Sequence, residues 1–313
     1  MINYHLEGLI AAPFTPFNNN GSLNLSIIPT YYHMLKANGV VGAFICGSTG
    51  EGVSLTMAER KAVAEAWADC AKFDNEFKVM TLIGGTCIAD CKELAIHAQA
   101  VGLDAVSFTA PFYFKPANAE VLAECCAEIA AVVPDFPFYY YHIPVLTGVD
   151  CSMLQLLKAV DGKVPNFAGI KYTHEDFMDF FSCMNFKNGQ YDMLWGRDEN
   201  LLPALALGTK AAIGSTFNYA APLYYQIIED YNNGKQESAQ SLQQKSIDMI
   251  RLLGKYGGIA TGKAYMKLIG LDCGSFRLPV KNMSNNQFDT FKQDVQQLNF
   301  SEYCSQLPIT VNG

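Results

Sequence analysis

Charge is scarce in this chain. Only 17% of its 313 residues are charged, and 22 lysines and arginines face 30 aspartates and glutamates, a net charge of −8. That balance argues against a non-specific binder of nucleic acid or anionic membrane, since both need basic surface, and no basic run with interleaved aromatics occurs. No uncharged apolar segment is long enough to span a bilayer. The opening Met1–Glu7 lacks the basic region and apolar core of a signal peptide. The ten cysteines form neither a C-x-x-C motif nor a zinc-finger spacing with histidine. Several fall in predicted strands and helices, where a free cysteine acts as a small hydrophobe. A reduced, cytoplasmic protein is the expectation. No G-x-G-x-x-G follows the first apolar run and no G-K-[ST] closes a phosphate loop, so nucleotide-binding folds have little support.

Hydrophobic residues, by contrast, make up half the chain, enough for a sizeable core. They fall into eight short apolar runs: 8–13, 40–46, 78–83, 105–109, 138–141, 167–173, 192–195 and 211–213. A helical pattern follows each run, the first over 24–38 and the second opened by a Thr56–Glu59 capping box. Continuous apolar runs suit strands buried on both faces of a parallel sheet. Eight strand–helix units predict an α/β fold, a (β/α)₈ TIM barrel over residues 1–232. Residues 233–313 are predicted as a C-terminal helical extension, with helices over 236–253, 261–269 and 285–297. The rival architecture is an open doubly wound sheet.

The sixth run carries an anomaly, Lys171 inside Phe167-Ala168-Gly169-Ile170-Lys171-Tyr172-Thr173. An ammonium is costly to bury, and desolvation lowers its pKa. A neutral lysine amine is a nucleophile that forms Schiff bases with carbonyls. The plainer reading is a strand-end lysine that reaches to water.

A barrel gathers the C-terminal ends of its strands into one mouth. There the sequence supplies Ser48 and Thr49 after the second strand, Tyr113 after the fourth and Tyr141 on the fifth. It adds Lys171 and Thr173 on the sixth, Gly196, Asp198 and Glu199 after the seventh, and Ser215 after the eighth. The Gly47–Gly52 turn suits a carboxylate or phosphate, or is an ordinary βα turn. Tyr141 shares a strand face with Tyr139 and offers a proton-relaying phenol, or is a core aromatic. Asp198 caps a helix equally well. A glycosidase with paired carboxylates would leave Lys171 unexplained. His142 and His174, without spaced partners, read as supporting groups and not as metal ligands.

Together Gly47-Ser48-Thr49-Gly50-Glu51, Tyr141-His142-Ile143-Pro144 and Gly169-Ile170-Lys171 resemble the pattern of the pyruvate-dependent class I aldolases and lyases, the family of dihydrodipicolinate synthase and its sialic-acid-cleaving relatives. The resemblance extends over nearly the whole chain. It implies a Schiff base on Lys171, proton relay by Tyr141, and carboxylate binding by Ser48 and Thr49. It also implies that Tyr113 reaches into a neighbouring subunit's site, hence a homotetramer. No metal or organic cofactor is implied. Gly196-Arg197-Asp198-Glu199, Thr173 and Ser215 resemble the positions that hold the polyhydroxy tail of a sugar acid. Leu146 stands where dihydrodipicolinate synthases carry an arginine. The resemblance therefore implies sialic acid, pyruvate and N-acetylmannosamine as small-molecule partners. Another 2-keto-3-deoxy sugar acid, or a barrel that binds without catalysing, remains an alternative.

Overall fold

The computed structural model describes residues 4–308. Eight parallel strands close into a barrel in sequence order. They are β1 Gly8–Ala11, β2 Gly42–Ile45, β3 Lys78–Leu82, β4 Ala105–Phe108, β5 Phe138–His142, β6 Phe167–Tyr172, β7 Asp192–Trp195 and β8 Ala211–Gly214. β1 pairs with both β2 and β8, which closes the ring and rules out the open sheet. The helices are α1 Ile28–Ala37, α2 Met57–Ala71, α3 Ile88–Ala100, α4 Ala119–Ala130, α5 Pro144–Thr147, α6 Met153–Val160, α7 Phe177–Asn185 and α8 Leu201–Ala206. They continue with α9 Phe217–Asn232, α10 Gln236–Lys255, α11 Thr261–Leu268 and α12 Asn285–Gln297.

Local chemistry accounts for most boundaries. The Thr56–Glu59 capping box forms, and it opens α2. The predicted helix over 24–38 starts later as α-helix, because its first turn, Leu25–Ile27, is 3-10 and Pro29 sits at the start of α1. The helix that follows β8 begins at Phe217. Proline cannot donate to the helix ladder, and a departure from helical geometry at Ala220 accommodates Pro222 inside α9.

Strand alternation divides the apolar side chains into two cores. Ile10, Phe44, Met80, Leu82, Tyr139, Tyr141, Leu194 and Ile213 fill the barrel interior. Tyr140, Tyr172 and Trp195 lie in the larger layer between barrel and helices. Tyr265, Met266 and Phe291 of the C-terminal helices belong to that same layer, so the extension shares a core with the barrel. The floor of the barrel is sealed by the buried Asp192, whose carboxylate accepts from Tyr139 Oη at 2.8 Å and Leu6 N at 3.1 Å. The opposite end, where the strands finish, is left to polar groups.

Candidate active site

Lys171 points into the barrel. Parallel register sets it opposite Tyr141 on β5 and Leu194 on β7. Its ammonium lies 4.0 Å from the ring centroids of both Phe44 and Tyr141. The side chain is 4% exposed, so the reading of a lysine reaching to water fails. Burial pushes its pKa down to about 7, and the negative charge of Asp198 opposes that fall. A good fraction of the amine is therefore unprotonated at neutral pH. Phe44 went unnoticed in the sequence, where it is one apolar residue in an apolar strand; only barrel closure brings it beneath the lysine.

Tyr141 is buried, and burial raises its phenol pKa while the hydroxyls of Ser48 and Thr173 pull it down. Thr173 Oγ1 is itself buried without a well-formed hydrogen bond in the protein. These three hydroxyls stand around the lysine's end of the pocket. Ser48 and Thr49 sit in a tight turn whose Cys46 and Glu51 adopt left-handed φ of 54° and 56°. The turn is stitched by Glu51 N to Ser48 O at 3.2 Å and Gly52 N to Gly47 O at 3.1 Å. Glu51 is not free to meet a ligand. Its carboxylate is buried against Lys263 Nζ at 2.9 Å and accepts the Arg277 backbone N–H at 2.8 Å. Lys263 lies 212 residues away, and nothing local in the sequence marks the pair.

Asp198 does not cap its own helix. Its Oδ2 accepts from Thr216 N at 2.8 Å and Thr216 Oγ1 at 2.6 Å, at the start of α9. The Thr216 hydroxyl also meets Tyr224 Oη at 2.6 Å, which in turn meets Ser246 Oγ at 2.7 Å. Burial and the neighbouring Glu199 raise the Asp198 pKa to about 6, against the pull of Thr216 and Lys171. Glu199 is half-buried and pairs with Arg197 at 3.0 Å. Ser215 lies half-buried between β8 and α9.

Gly196 and Gly214 are required by close packing. A Cβ on Gly196 would fall 2.0 Å from Thr173 Oγ1, and one on Gly214 would fall 2.3 Å from Asp198 Oδ1. Gly196→Ala is expected to displace Thr173 and, through the tail contact that the resemblance implies for it, to raise the sugar-acid KM about tenfold or more, while pyruvate trapping on Lys171 persists. Steady-state kinetics beside borohydride trapping check this. An unchanged KM would show that the Thr173 hydroxyl does not contact the substrate tail.

Tyr113 is the one predicted residue outside this cluster. It is 78% exposed, and its ring packs edge-on against Phe114. Leu146 on α5 is also exposed and brings no cation to the mouth. A cavity of about 450 Å³ lies elsewhere, between Asn18, Lys267, Asp272 and Phe288. Chemistry and not cavity size singles out the barrel mouth. Contrary to the sequence reading, His142 and His174 do gain a common partner: with Asp150 they offer ligand atoms all within 4.8 Å of one another. They lie at neighbouring strand ends, a proximity that sequence spacing conceals.

Comparison with known proteins fits this geometry. The model of the dihydrodipicolinate synthetase family matches residues 5–298. An N-acetylneuraminate lyase of Rattus norvegicus is 37% identical over 302 residues, covering 95% of this chain and 94% of its own length. One from Homo sapiens is 37% identical over 304 residues with the same coverage. The solved structure of Proteus mirabilis N-acetylneuraminate lyase superposes with a TM-score of 0.91 at 38% identity, covering 95% of this chain and all of that one.

Proposed function

The chain belongs to the dihydrodipicolinate synthetase family, and from that premise we propose that it is an N-acetylneuraminate lyase, which cleaves sialic acid reversibly to N-acetylmannosamine and pyruvate. The observation that carries this reading is Lys171, a buried amine with a pKa of about 7 at the mouth of the barrel. The relatives named above supply the substrate class.

The chemistry follows from the groups present. The unprotonated Lys171 amine adds to the keto carbon of open-chain N-acetylneuraminate, and loss of water leaves an iminium. Ser48 and Thr49 hold the adjacent carboxylate through hydroxyl and backbone donors of the turn. Tyr141, whose ring lies beside the nitrogen, accepts the C4 hydroxyl proton as it passes its own phenol proton to the substrate carboxylate. The C3–C4 bond breaks, its electron pair moves into the iminium to form an enamine, and N-acetylmannosamine leaves as the aldehyde. Protonation of the enamine at C3 and addition of water release pyruvate and restore the lysine. Protein groups and the covalent imine suffice for each step.

Asp198, Glu199, Thr173, Gly196 and Ser215 serve the sugar tail in this scheme. A buried carboxylate held by Thr216 is suited to accept hydroxyl protons in a fixed direction. The exposure of Tyr113 and Phe114 supports a role for Tyr113 across a subunit boundary, in the homotetramer that the resemblance implies. Ten free thiols suit a reducing, cytoplasmic setting. Among the described residues no helix is long and apolar enough to cross a membrane.

Asp198→Asn separates tail recognition from imine chemistry. It is expected to lower kcat/KM for N-acetylneuraminate by about 10²-fold, a loss of charge-assisted hydrogen bonds, while pyruvate with borohydride still labels the lysine. Pyruvate release and peptide mass read the two effects. Full cleavage activity in the variant would remove Asp198 from the substrate site.

A further inference from the structure

Just outside the mouth, the rims of β5 and β6 carry three side chains that the aldol chemistry does not use. His142 ends β5, His174 lies two residues beyond β6, and Asp150 follows α5. One ligand atom from each lies within 4.8 Å of the other two. The two imidazole rings meet edge to face with centroids 5.5 Å apart. His174 Nε2 is 3.7 Å from Asp150 Oδ1. His142 is 1% exposed, yet its Nδ1 has no hydrogen-bond partner in the protein. A buried polar atom left unpaired calls for an ion or a water.

We propose that His142, His174 and Asp150 form a binding site for a divalent transition-metal cation of the Zn²⁺ class, separate from the Schiff-base centre. Two imidazoles and a carboxylate are a donor set that Zn²⁺ uses with water in the fourth position. Imidazole favours such ions over Mg²⁺ and Ca²⁺, which prefer oxygen. Metal bonds of about 2.0–2.2 Å would set tetrahedral ligand atoms roughly 3.4 Å apart, so the widest separation must contract by up to about 1.4 Å. The mobile partners can supply that: the side chains of His174 and Asp150 are 35% and 71% exposed. His142 cannot move far, because Tyr172 and Tyr140 pack on its ring at centroid distances of 5.0 and 6.3 Å. The carboxylates of Asp176 and Asp179 add negative charge near it.

The location has a consequence. Strand alternation turns His142 outward where Tyr141 turns inward, and Thr173 N donates to His142 O at 2.8 Å. A cation at this site would clamp the ends of β5 and β6 together from outside the barrel, without touching substrate.

Co²⁺ is the probe, added to metal-stripped, reduced, full-length protein. The expected result is one Co²⁺ per chain, with ligand-field bands and no intense thiolate charge-transfer absorption. His174→Ala and Asp150→Asn, at partly and largely exposed positions, should each weaken Co²⁺ affinity at least tenfold. Pyruvate release by the metal-free variants should match the parent. Absence of Co²⁺ binding to the parent, parental affinity in either variant, or a thiolate spectrum from the cysteines would each overturn the proposal.

Discussion

Lys171→Met is expected to lower pyruvate release from N-acetylneuraminate by on the order of 10⁴-fold or more while raising the melting temperature. The activity loss follows from the proposed role of Lys171 as the nucleophile that forms the imine. The gain in stability follows from the same burial that activates the amine. Lys171 has a folded pKa of about 7 against an ordinary 10.5. Between those values the unfolded chain binds a proton that the folded chain does not, so stability rises with pH across that window. The lysine's cost is therefore fully present below pH 7 and fades towards pH 10.5. Methionine, apolar and flexible against Phe44 and Tyr141, should relieve a few kcal/mol at neutral pH. Loss of the cation leaves Asp198 less supported, which trims the gain without reversing it, since burial outweighs the Asp198 charge.

The parent enzyme should show kcat/KM rising with pH through an apparent pKa of about 7, because only the neutral amine attacks. Borohydride in the presence of pyruvate should add mass to the Lys171 peptide and to no other. Calorimetry, a pH–rate profile and peptide mapping test the set. An inactive variant that is also less stable would mean that Lys171 is structural, and a labelled peptide elsewhere would move the nucleophile.

Glu51→Ala should destabilise the fold by about 3–5 kcal/mol, the cost of leaving a buried charge unpaired. Glu51 and Lys263 are 4% and 3% exposed in their side chains and meet at 2.9 Å. Burial lowers the Lys263 pKa and Glu51 raises it in return, so removing the carboxylate leaves an ammonium with Ser275 O at 3.1 Å and the rings of Phe17 and Phe276 but no counter-charge. Glu51 also holds a left-handed backbone, φ 56°, in the turn that carries Ser48 and Thr49. Losing its anchors should slacken that turn and raise KM for pyruvate trapping as well. Glu51→Gln with Lys263→Met keeps an acceptor for Arg277 N and removes both charges, so the double variant should recover part of the loss. Urea unfolding of Glu51→Gln, Lys263→Met and the double variant measures the coupling. Additive losses would show that the two side chains stabilise the fold independently.

Much of the site was legible in the sequence. Lys171 betrayed itself as a cation in an apolar run, and Gly47–Gly52 and Gly196–Glu199 as polar turns after strands. Strand period alone placed Tyr141 on one face with Tyr139, and barrel closure made that face the inner one. The partner of the Asp198 carboxylate was not legible. The position of Asp198 at a helix start suggested a cap, whereas its carboxylate serves Thr216 eighteen residues on. Lys263 and Phe44 carried no local signal, since a lysine in a helix and a phenylalanine in a strand are ordinary until their neighbours are known.

The amino-acid order alone determined eight strand–helix units and the chemistry-bearing residues at the strand ends, because periodicity, capping and turn preferences act over a few residues. Tertiary structure decided how those residues behave. Barrel closure buried Lys171 between two rings and set His142 beside His174 and Asp150, and the packing of α11 on the barrel joined Glu51 to Lys263. Desolvation and charge act through space, between groups whose separation along the chain says nothing of their distance.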